Sequence, residues 1–195
     1  MIVPTTLAIT NITLRPLAES HIDALSQIAT NKVIWTHAPY PFYEPELFRK
    51  KWLDKAFSQI EQQKRICFTV FCAEKIVGSS SLYAIDHDNK TLNIGYTWFD
   101  PACWGTAVNA TSKLLLLSYS FEQLYFNRVG FSIDSINRRS CNALRKFGIT
   151  EEGTLRNHLI LPDGRVRSSV IFSVILDEWP TIKHNLCKKV GIACT

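Results

Sequence analysis

A glycine-containing segment near the middle of the chain is the first place where residue types and spacing could do chemistry. The segment reads Trp104-Gly105-Thr106-Ala107-Val108-Asn109. It precedes an apolar run typical of a helix, and the first turn of a helix offers unpaired N–H groups and a positive dipole end to an anion. Gly105 would let a phosphate approach the backbone closely. The segment predicts a phosphate site, but the same spacing is far more often a plain strand-to-helix connection.

A second polar segment, from Asn137 to Ser140, opens the next expected helix. Asparagine commonly caps helices, because its side-chain oxygen accepts a hydrogen bond from a first-turn N–H. Taken alone, the pattern favours the simpler interpretation, in which Asn137 is a cap and Ser140 is an ordinary first-turn residue.

The apolar patterning predicts the elements that position these two segments. In chain order they are a strand at 7–14, a helix capped by Ser20, a helix over about 45–62, strands at 67–73, 76–85 and 91–99, a helix over about 107–122, a strand at 128–133, a helix capped by Asn137, a hairpin of 152–160 with 168–176, and a helix capped by Asp177. The strand–helix–strand unit in the middle requires parallel strands. The order predicts a mixed α/β architecture.

In this order the segments resemble the GNAT superfamily over roughly residues 7–180. The segments that resemble motifs of this superfamily are Ile94-Gly95-Tyr96-Thr97-Trp98 with Trp104-Gly105-Thr106, Asn137-x-x-Ser140 with Arg145-Lys146-Phe147-Gly148, and the hairpin segments Glu152–Arg156 and Leu161–Arg165. The hairpin segments are similar to those of the Rim-type ribosomal-protein N-terminal acetyltransferases. The resemblance implies a mixed, mostly antiparallel seven-stranded sheet, flanked by helices, that splays between its fourth and fifth strands to hold CoA.

The resemblance also implies roles for individual residues. The backbone amides of Trp104, Gly105, Thr106, Ala107, Val108 and Asn109 would hold the CoA pyrophosphate. Asn137 would contact the pantetheine arm, and Ser140 would protonate the leaving thiolate, since Leu144 stands where many relatives have a tyrosine. A backbone N–H near Thr97 or Trp98 would stabilise the oxyanion. The implied activity is transfer of acetyl from acetyl-CoA to a primary amine, in a small molecule or at a protein N-terminus.

Three positions depart from the family pattern. In the phosphate loop, Ala107 replaces a glycine and Asn109 replaces a glycine or alanine. Asn93 stands where a glutamate, a candidate general base, often precedes the Ile94-Gly95-Tyr96 segment. Alanine is tolerable if its φ is negative, so we expect weakened rather than lost binding. These departures keep a second interpretation open, in which the chain is a catalytically degenerate CoA-binding protein.

The absence of an evident carboxylate base favours weakly basic acceptors. At pH 7 an α-amine with a pKa of about 7.7–8.0 loses about 1 kcal/mol to deprotonation, whereas a lysine at about 10.4 loses about 4.6 kcal/mol. His158 and Glu152 are the remaining titratable candidates, and each is more typical of a surface or packing residue. The aromatic loop from Trp35 to Tyr43 is predicted, with equal weight, to line the acceptor cleft or to anchor packing.

Composition narrows the class of protein. The 195 residues fit one domain at 7–180, with an N-terminal tail at 1–6 and a C-terminal helix and tail at 181–195. The net charge of +5 is too scattered for a nucleic-acid footprint. The absence of a signal peptide and of a long apolar run predicts a cytoplasmic protein with no membrane partner. The six cysteines and five histidines show no metal-ligand spacing, so we expect no metal. A monomer and a homodimer both remain open.

Overall fold

A computed structural model describes residues 2–194, and the predicted tails reach to Met1 and Thr195, which lie outside the described residues. Eight strands form one sheet in the order β1-β2-β3-β4-β5-β6-β8-β7. The strands are β1 (Leu7–Ile9), β2 (Ile12–Pro16), β3 (Arg65–Cys72), β4 (Lys75–Asp86), β5 (Thr91–Phe99), β6 (Arg128–Asp134), β7 (Thr150–Ile160) and β8 (Val166–Ile175). Strands β5 and β6 are parallel and the other neighbouring pairs are antiparallel. The predicted mixed α/β architecture is confirmed.

Helices cover both faces of the sheet. They are α1 (Ile22–Ala29), α2 (Pro45–Leu47), α3 (Asp54–Glu61), α4 (Val108–Ser118), α5 (Arg138–Lys146) and α6 (Trp179–Val190). A π-helical segment, Phe48–Leu53, joins α2 to α3, and another, Tyr119–Gln123, extends α4. None of the helices between residues 2 and 194 has the length and apolar character needed to cross a bilayer.

Alternation along the strands divides the buried residues into two clusters. Phe68 belongs to the cluster that contains residues of α4, α5 and α6, whereas its neighbour Cys67 belongs to the cluster that contains residues of α1 and of the segment from α2 to α3. Successive side chains of a strand point to opposite faces, so each strand contributes to both clusters. The sheet therefore fixes α4 and α5 on one face and the aromatic loop on the other.

The first strand differs from its prediction. A tight turn at Thr10, where φ is +54°, folds residues 7–16 into a hairpin in which Ile9 pairs with Ile12. The sequence pattern alternates loosely through this turn, so it favours one continuous strand. The extra turn gives eight strands instead of the seven that the resemblance implies.

Two predicted helix caps are wrong for a common reason. Ser20 lies inside a 3₁₀ turn, Glu19–His21, and Asp177 lies inside another, Leu176–Glu178. In both places a 3₁₀ turn precedes the α-helix, so the capping position falls elsewhere and neither side chain caps it. Helix α5 follows its prediction, since the Asn137 side chain accepts a hydrogen bond from the Ser140 N–H at 3.1 Å.

The parallel pair β5–β6 separates soon after it forms. Ladder pairing joins Thr91–Asn93 to Arg128–Gly130, and β5 then continues to Phe99 while β6 continues to Asp134. Beyond the ladder, the facing edges of the two strands have no sheet partner among the described residues, so their backbone polar groups are available to a ligand. We call this opening the split. The split corresponds to the splay that the resemblance implies between the fourth and fifth strands. Here it lies between β5 and β6, because the N-terminal hairpin adds one strand before it.

Candidate active site

The segment from Trp104 to Asn109 leads from β5 to the start of α4, beside the split. Gly105 has a φ of +79°, and a Cβ built on it would meet no heavy atom within 4 Å. The left-handed conformation explains why glycine is needed there, and the open space leaves the backbone accessible. Ala107 has a φ of −69° and a ψ of −14°. Its right-handed conformation meets the condition under which alanine replaces glycine without strain.

Three of the six predicted phosphate-binding amides are used inside the loop. The N–H of Trp104 donates to Pro101 O at 3.0 Å, and that of Thr106 donates to Cys103 O at 3.3 Å. The Val108 N–H donates to the Thr106 hydroxyl at 3.3 Å. These bonds hold the shape of the loop, so Trp104, Thr106 and Val108 contribute mainly to its structure.

The remaining amides are available. The N–H groups of Gly105, Ala107 and Asn109, and that of Ala110 just beyond the predicted segment, have no hydrogen-bond partner within residues 2–194. Unpaired amides at a helix start, together with the helix dipole, favour a bound anion. The geometry therefore fits the pyrophosphate of a nucleotide cosubstrate, with three of the six predicted residues and one additional residue as donors.

A contact that the sequence did not reveal brings the two predicted segments together. The Arg139 guanidinium lies over the Trp104 ring, with Cζ 3.5 Å from the ring centre. Burial against the ring lowers the pKa of Arg139 from its ordinary value. The cation lies at the start of α5 and against Trp104, the first residue of the predicted phosphate-binding segment, so it adds positive charge to that segment.

Asn137 and Ser140 differ in what they have left to offer a ligand. Asn137 Oδ1 is engaged as the cap of α5, which confirms the simpler part of its interpretation. The half-buried Ser140 hydroxyl makes no hydrogen bond inside the described part of the chain. Leu144, one turn later, is buried and has no polar group. A free hydroxyl thus stands where the resemblance implies a proton donor.

Strand β5 has an irregularity at the predicted oxyanion position. Where β4 contributes one residue, Ser80, β5 contributes two, Tyr96 and Thr97. Tyr96 adopts a φ of +51°, an uncommon conformation for a tyrosine. Bulges of this kind change the direction of backbone groups and are frequent beside active sites. The predicted role of an N–H at Thr97 or Trp98 stays a prediction, now with a local backbone distortion beside it.

The side chain of Trp98 belongs to the core. Its ring lies 5.2 Å from that of Trp35, 5.6 Å from that of Trp52 and 6.0 Å from that of Phe48. Trp35 and Phe42, from the predicted aromatic loop, are both buried in the same cluster. These two loop residues are therefore packing anchors, and any catalytic part played by Trp98 must come from its backbone.

The titratable candidates are held by other protein groups. Glu152 accepts hydrogen bonds from Arg128 at 2.6 Å and from the Ser173 hydroxyl at 2.8 Å, and the Arg128 contact lowers the pKa of Glu152. A carboxylate with a lowered pKa is a poor base at neutral pH. His158 Nδ1 lies 3.0 Å from Ser169 Oγ on the closing hairpin. Within residues 2–194, no three His, Cys, Asp or Glu side chains are grouped as metal ligands would be.

Asn93 occupies the closed end of the split. Its Oδ1 lies 2.3 Å from the position that a Cβ on Gly130 would take. The Asn93 side chain therefore fits between the strands because residue 130 is a glycine. Asn93 also faces Tyr83 in the β4–β5 ladder, and the pKa of Tyr83 is raised mainly by burial and further by Tyr96. An amide and a protonated phenol supply no base at neutral pH. Any proton taken from an acceptor amine must therefore pass to solvent or to another group.

Comparison with known proteins agrees with this geometry. The family model for the acetyltransferase (GNAT) domain matches residues 11–150, which is most of the chain. The chain belongs to the GNAT acetyltransferase family. The resemblance predicted from the sequence segments is thereby confirmed.

Individual relatives extend the comparison. YdaF of Bacillus subtilis (strain 168), whose name assigns it provisionally as a ribosomal N-acetyltransferase, is 30% identical over 104 residues, or 53% of this chain and 56% of YdaF. A provisionally assigned acetyltransferase from T. thermophilus superposes with a TM-score of 0.85 at 30% identity, covering 97% of this chain and 99% of the other. RimL, a ribosomal L7/L12 alpha-N-protein acetyltransferase solved with coenzyme A, shares the fold with a TM-score of 0.77 at 24% identity, covering 89% and 99%. The chain thus matches little more than half of its curated relative YdaF but the whole fold of the solved structures.

Proposed function

We propose that this chain is an acyl-CoA-dependent N-acyltransferase that moves an acetyl group from acetyl-CoA to a primary amine. The observation that carries the proposal is the position of the four free amides of Gly105, Ala107, Asn109 and Ala110. They lie at the start of α4, beside a split whose strand edges lack sheet partners among the described residues. An anion-binding helix start next to an open, polar strand edge suits a ligand with phosphates at one end and a hydrogen-bonding arm at the other.

The chain's own residues divide the work. The free amides and the Arg139 guanidinium would bind the phosphates, and the unpaired edges of β5 and β6 would hydrogen-bond the arm. Bound acetyl-CoA supplies an activated thioester as the acyl donor. A backbone N–H at the Tyr96–Thr97 bulge would stabilise negative charge on the thioester oxygen, and the free Ser140 hydroxyl would donate to the departing sulfur.

The acceptor we propose is an α-amine, such as a protein N-terminus. Glu152 is ion-paired and Asn93 cannot take a proton, so neither of them is a strong base for a protonated lysine. An α-amine with a pKa of about 7.7–8.0 is about half to two thirds neutral at pH 8 without help. The names of YdaF and RimL, which refer to ribosomal N-acetylation and to an alpha-N-protein acetyltransferase, support the same acceptor class.

Thiol release from acetyl-CoA tests the proposal. The acceptor panel contains two matched sets of short peptides. One set has a free N-terminus and no lysine, and the other has a blocked N-terminus and a single lysine substitution. Polyamines and free amino acids complete the panel. The proposal predicts turnover on free N-termini exceeding that on the blocked lysine peptides at pH 7.5. Binding of acetyl-CoA without turnover on any acceptor would favour the alternative, a CoA-binding protein that has lost catalysis.

A further inference from the structure

Lys113 is a buried lysine of α4 that lies beneath the split. Its side chain is on the sheet-facing side of the helix and the residue is only 5% exposed. Its Nζ donates to the Thr97 hydroxyl of β5 at 3.3 Å and lies 6.0 Å from the centre of the Phe131 ring of β6. The amine is therefore near both strands that separate at the split. It lies on the face of the sheet that α4 covers.

The protein leaves most of the hydrogen-bond donors of the Lys113 amine without a partner among the described residues. An ammonium group has three N–H donors, and the bond to Thr97 is the one that it makes within residues 2–194. No acidic side chain of the described chain forms an ion pair with it. Burial lowers the pKa of Lys113 to about 8, so the amine is still mostly protonated at neutral pH. A buried, unpaired cation is unfavourable unless some group completes its hydrogen bonds.

The surroundings of Thr97 limit where that group can come from. The Thr97 hydroxyl is 2.7 Å from Ser80 Oγ, on β4, and the pair lies at the bulge of β5. On that side the sheet is continuous and Ser80 is fully buried. On the other side β5 has no sheet partner in the described chain, because its ladder with β6 ends at Asn93. An acceptor for the remaining Lys113 donors would therefore enter through the split.

We propose that Lys113 forms the floor of the arm-binding site and donates a hydrogen bond to a carbonyl oxygen in the arm of acyl-CoA. The inference rests on the proposed function, which places the arm in the split. The pantetheine arm carries two amide carbonyls, and both are present in free coenzyme A. A hydrogen bond from a charged donor is stronger than one from a neutral donor. Because Lys113 Nζ lies between Thr97 and Phe131 and not at the free amides of the α4 start, its bond is made to the arm and not to the nucleotide.

Binding of two ligands to Lys113→Met tests this role. Coenzyme A contains the arm, whereas adenosine 3′,5′-bisphosphate lacks it, and calorimetry measures both against wild type. We expect the variant to bind coenzyme A about ten- to a hundred-fold more weakly and the bisphosphate equally well. Lys55→Met, on the exposed surface of α3, serves as the control and should leave both affinities unchanged.

The outcomes separate the inference from the proposed function. Equal coenzyme A affinity in wild type and Lys113→Met would overturn the inference, as would an equal loss for both ligands, which would mean that Lys113 only supports the helix. Failure of wild type to bind coenzyme A would overturn the proposed function itself. If the methionine variant does not fold, Lys113→Gln, which retains an N–H donor, should bind coenzyme A with an intermediate affinity and the bisphosphate normally.

Discussion

At the scale of single residues, Ser140 is the side chain on which the proposed chemistry depends most. Its hydroxyl is free within the described chain, half-buried and near the start of α5, while the Ser140 backbone N–H is bound to the Asn137 cap. The backbone contact fixes the residue without using the hydroxyl. A group that is positioned but unpaired is what a proton donor to a leaving thiolate requires.

Replacing Ser140 by alanine should lower kcat by about ten- to a thousand-fold, within or just below the usual range for a general acid. A thiol has a pKa of about 8.5, so the departing thiolate needs only modest help and water will replace part of the effect. The KM for acetyl-CoA should change little, because the contact strengthens mainly as charge develops on sulfur. Steady-state kinetics on a proven acceptor measure both constants, with Ser58→Ala on exposed α3 as the control. An unchanged kcat would make Ser140 an ordinary helix residue.

At the scale of elements, helix α4 serves the site at its start and along its length. The amides of Asn109 and Ala110 in its first turn are free, and the side chains from Val108 to Leu117, apart from half-buried Asn109, are buried. A helix buried nearly all round is a central element, and a lysine within its apolar run is an anomaly that the sequence displays. That anomaly is the available signal for Lys113, since Lys113 immediately precedes four leucines.

A negative charge at the start of α4 should block the phosphate position. Asn109→Glu places a carboxylate beside the free amides, where it competes with and repels a phosphate, so we expect acetyl-CoA affinity to fall by about ten-fold or more. Ser118→Glu adds the same charge at the other end of α4 and should have a much smaller effect. Calorimetric titration of both variants gives the comparison. Equal losses would mean that the loop has no special role.

Burial of Lys113 should also make stability depend on pH. Its pKa falls from 10.5 to about 8 in the folded state, so the unfolded chain binds more protons between these values and the free energy of unfolding rises with pH there. The fall corresponds to about 3 kcal/mol. Urea unfolding of wild type and Lys113→Met from about pH 7 to 10.5 should show wild type gaining on the variant by up to that amount. A constant difference across this range would show that the amine titrates normally in the fold.

The sequence predicted the order of elements because turns and periodicity are local properties. The Leu161–Arg165 turn and the Asn137 cap follow from residue type, and both are found where expected. The Arg139–Trp104 contact joins residues that are far apart in the chain and depends on how α4 and α5 pack, which no local pattern records. The turn at Thr10 escapes prediction because its residues also fit a strand.

At the scale of the whole molecule, function depends on where the sheet fails to close. The β5–β6 ladder stops after Asn93 and Gly130, and α4 begins beside the resulting opening. Buried clusters cover both faces of the sheet, so packing holds the strands that border the split in place. The family resemblance predicted this split. The positions of Lys113 beneath the split and of Arg139 against Trp104 depend on how α4 and α5 pack, so the sequence alone did not predict them.

The most direct test of the account is whether acetyl-CoA stabilises the purified protein. A ligand at about 100 times its Kd stabilises the native state by about 2.7 kcal/mol, which for a chain of this size raises Tm by about 5–10 °C. Differential scanning calorimetry with millimolar acetyl-CoA, against adenosine as a control without phosphates or arm, measures the shift. The account predicts a rise of several degrees with acetyl-CoA and almost none with adenosine. No shift at millimolar acetyl-CoA would contradict both the enzyme and the CoA-binding interpretations.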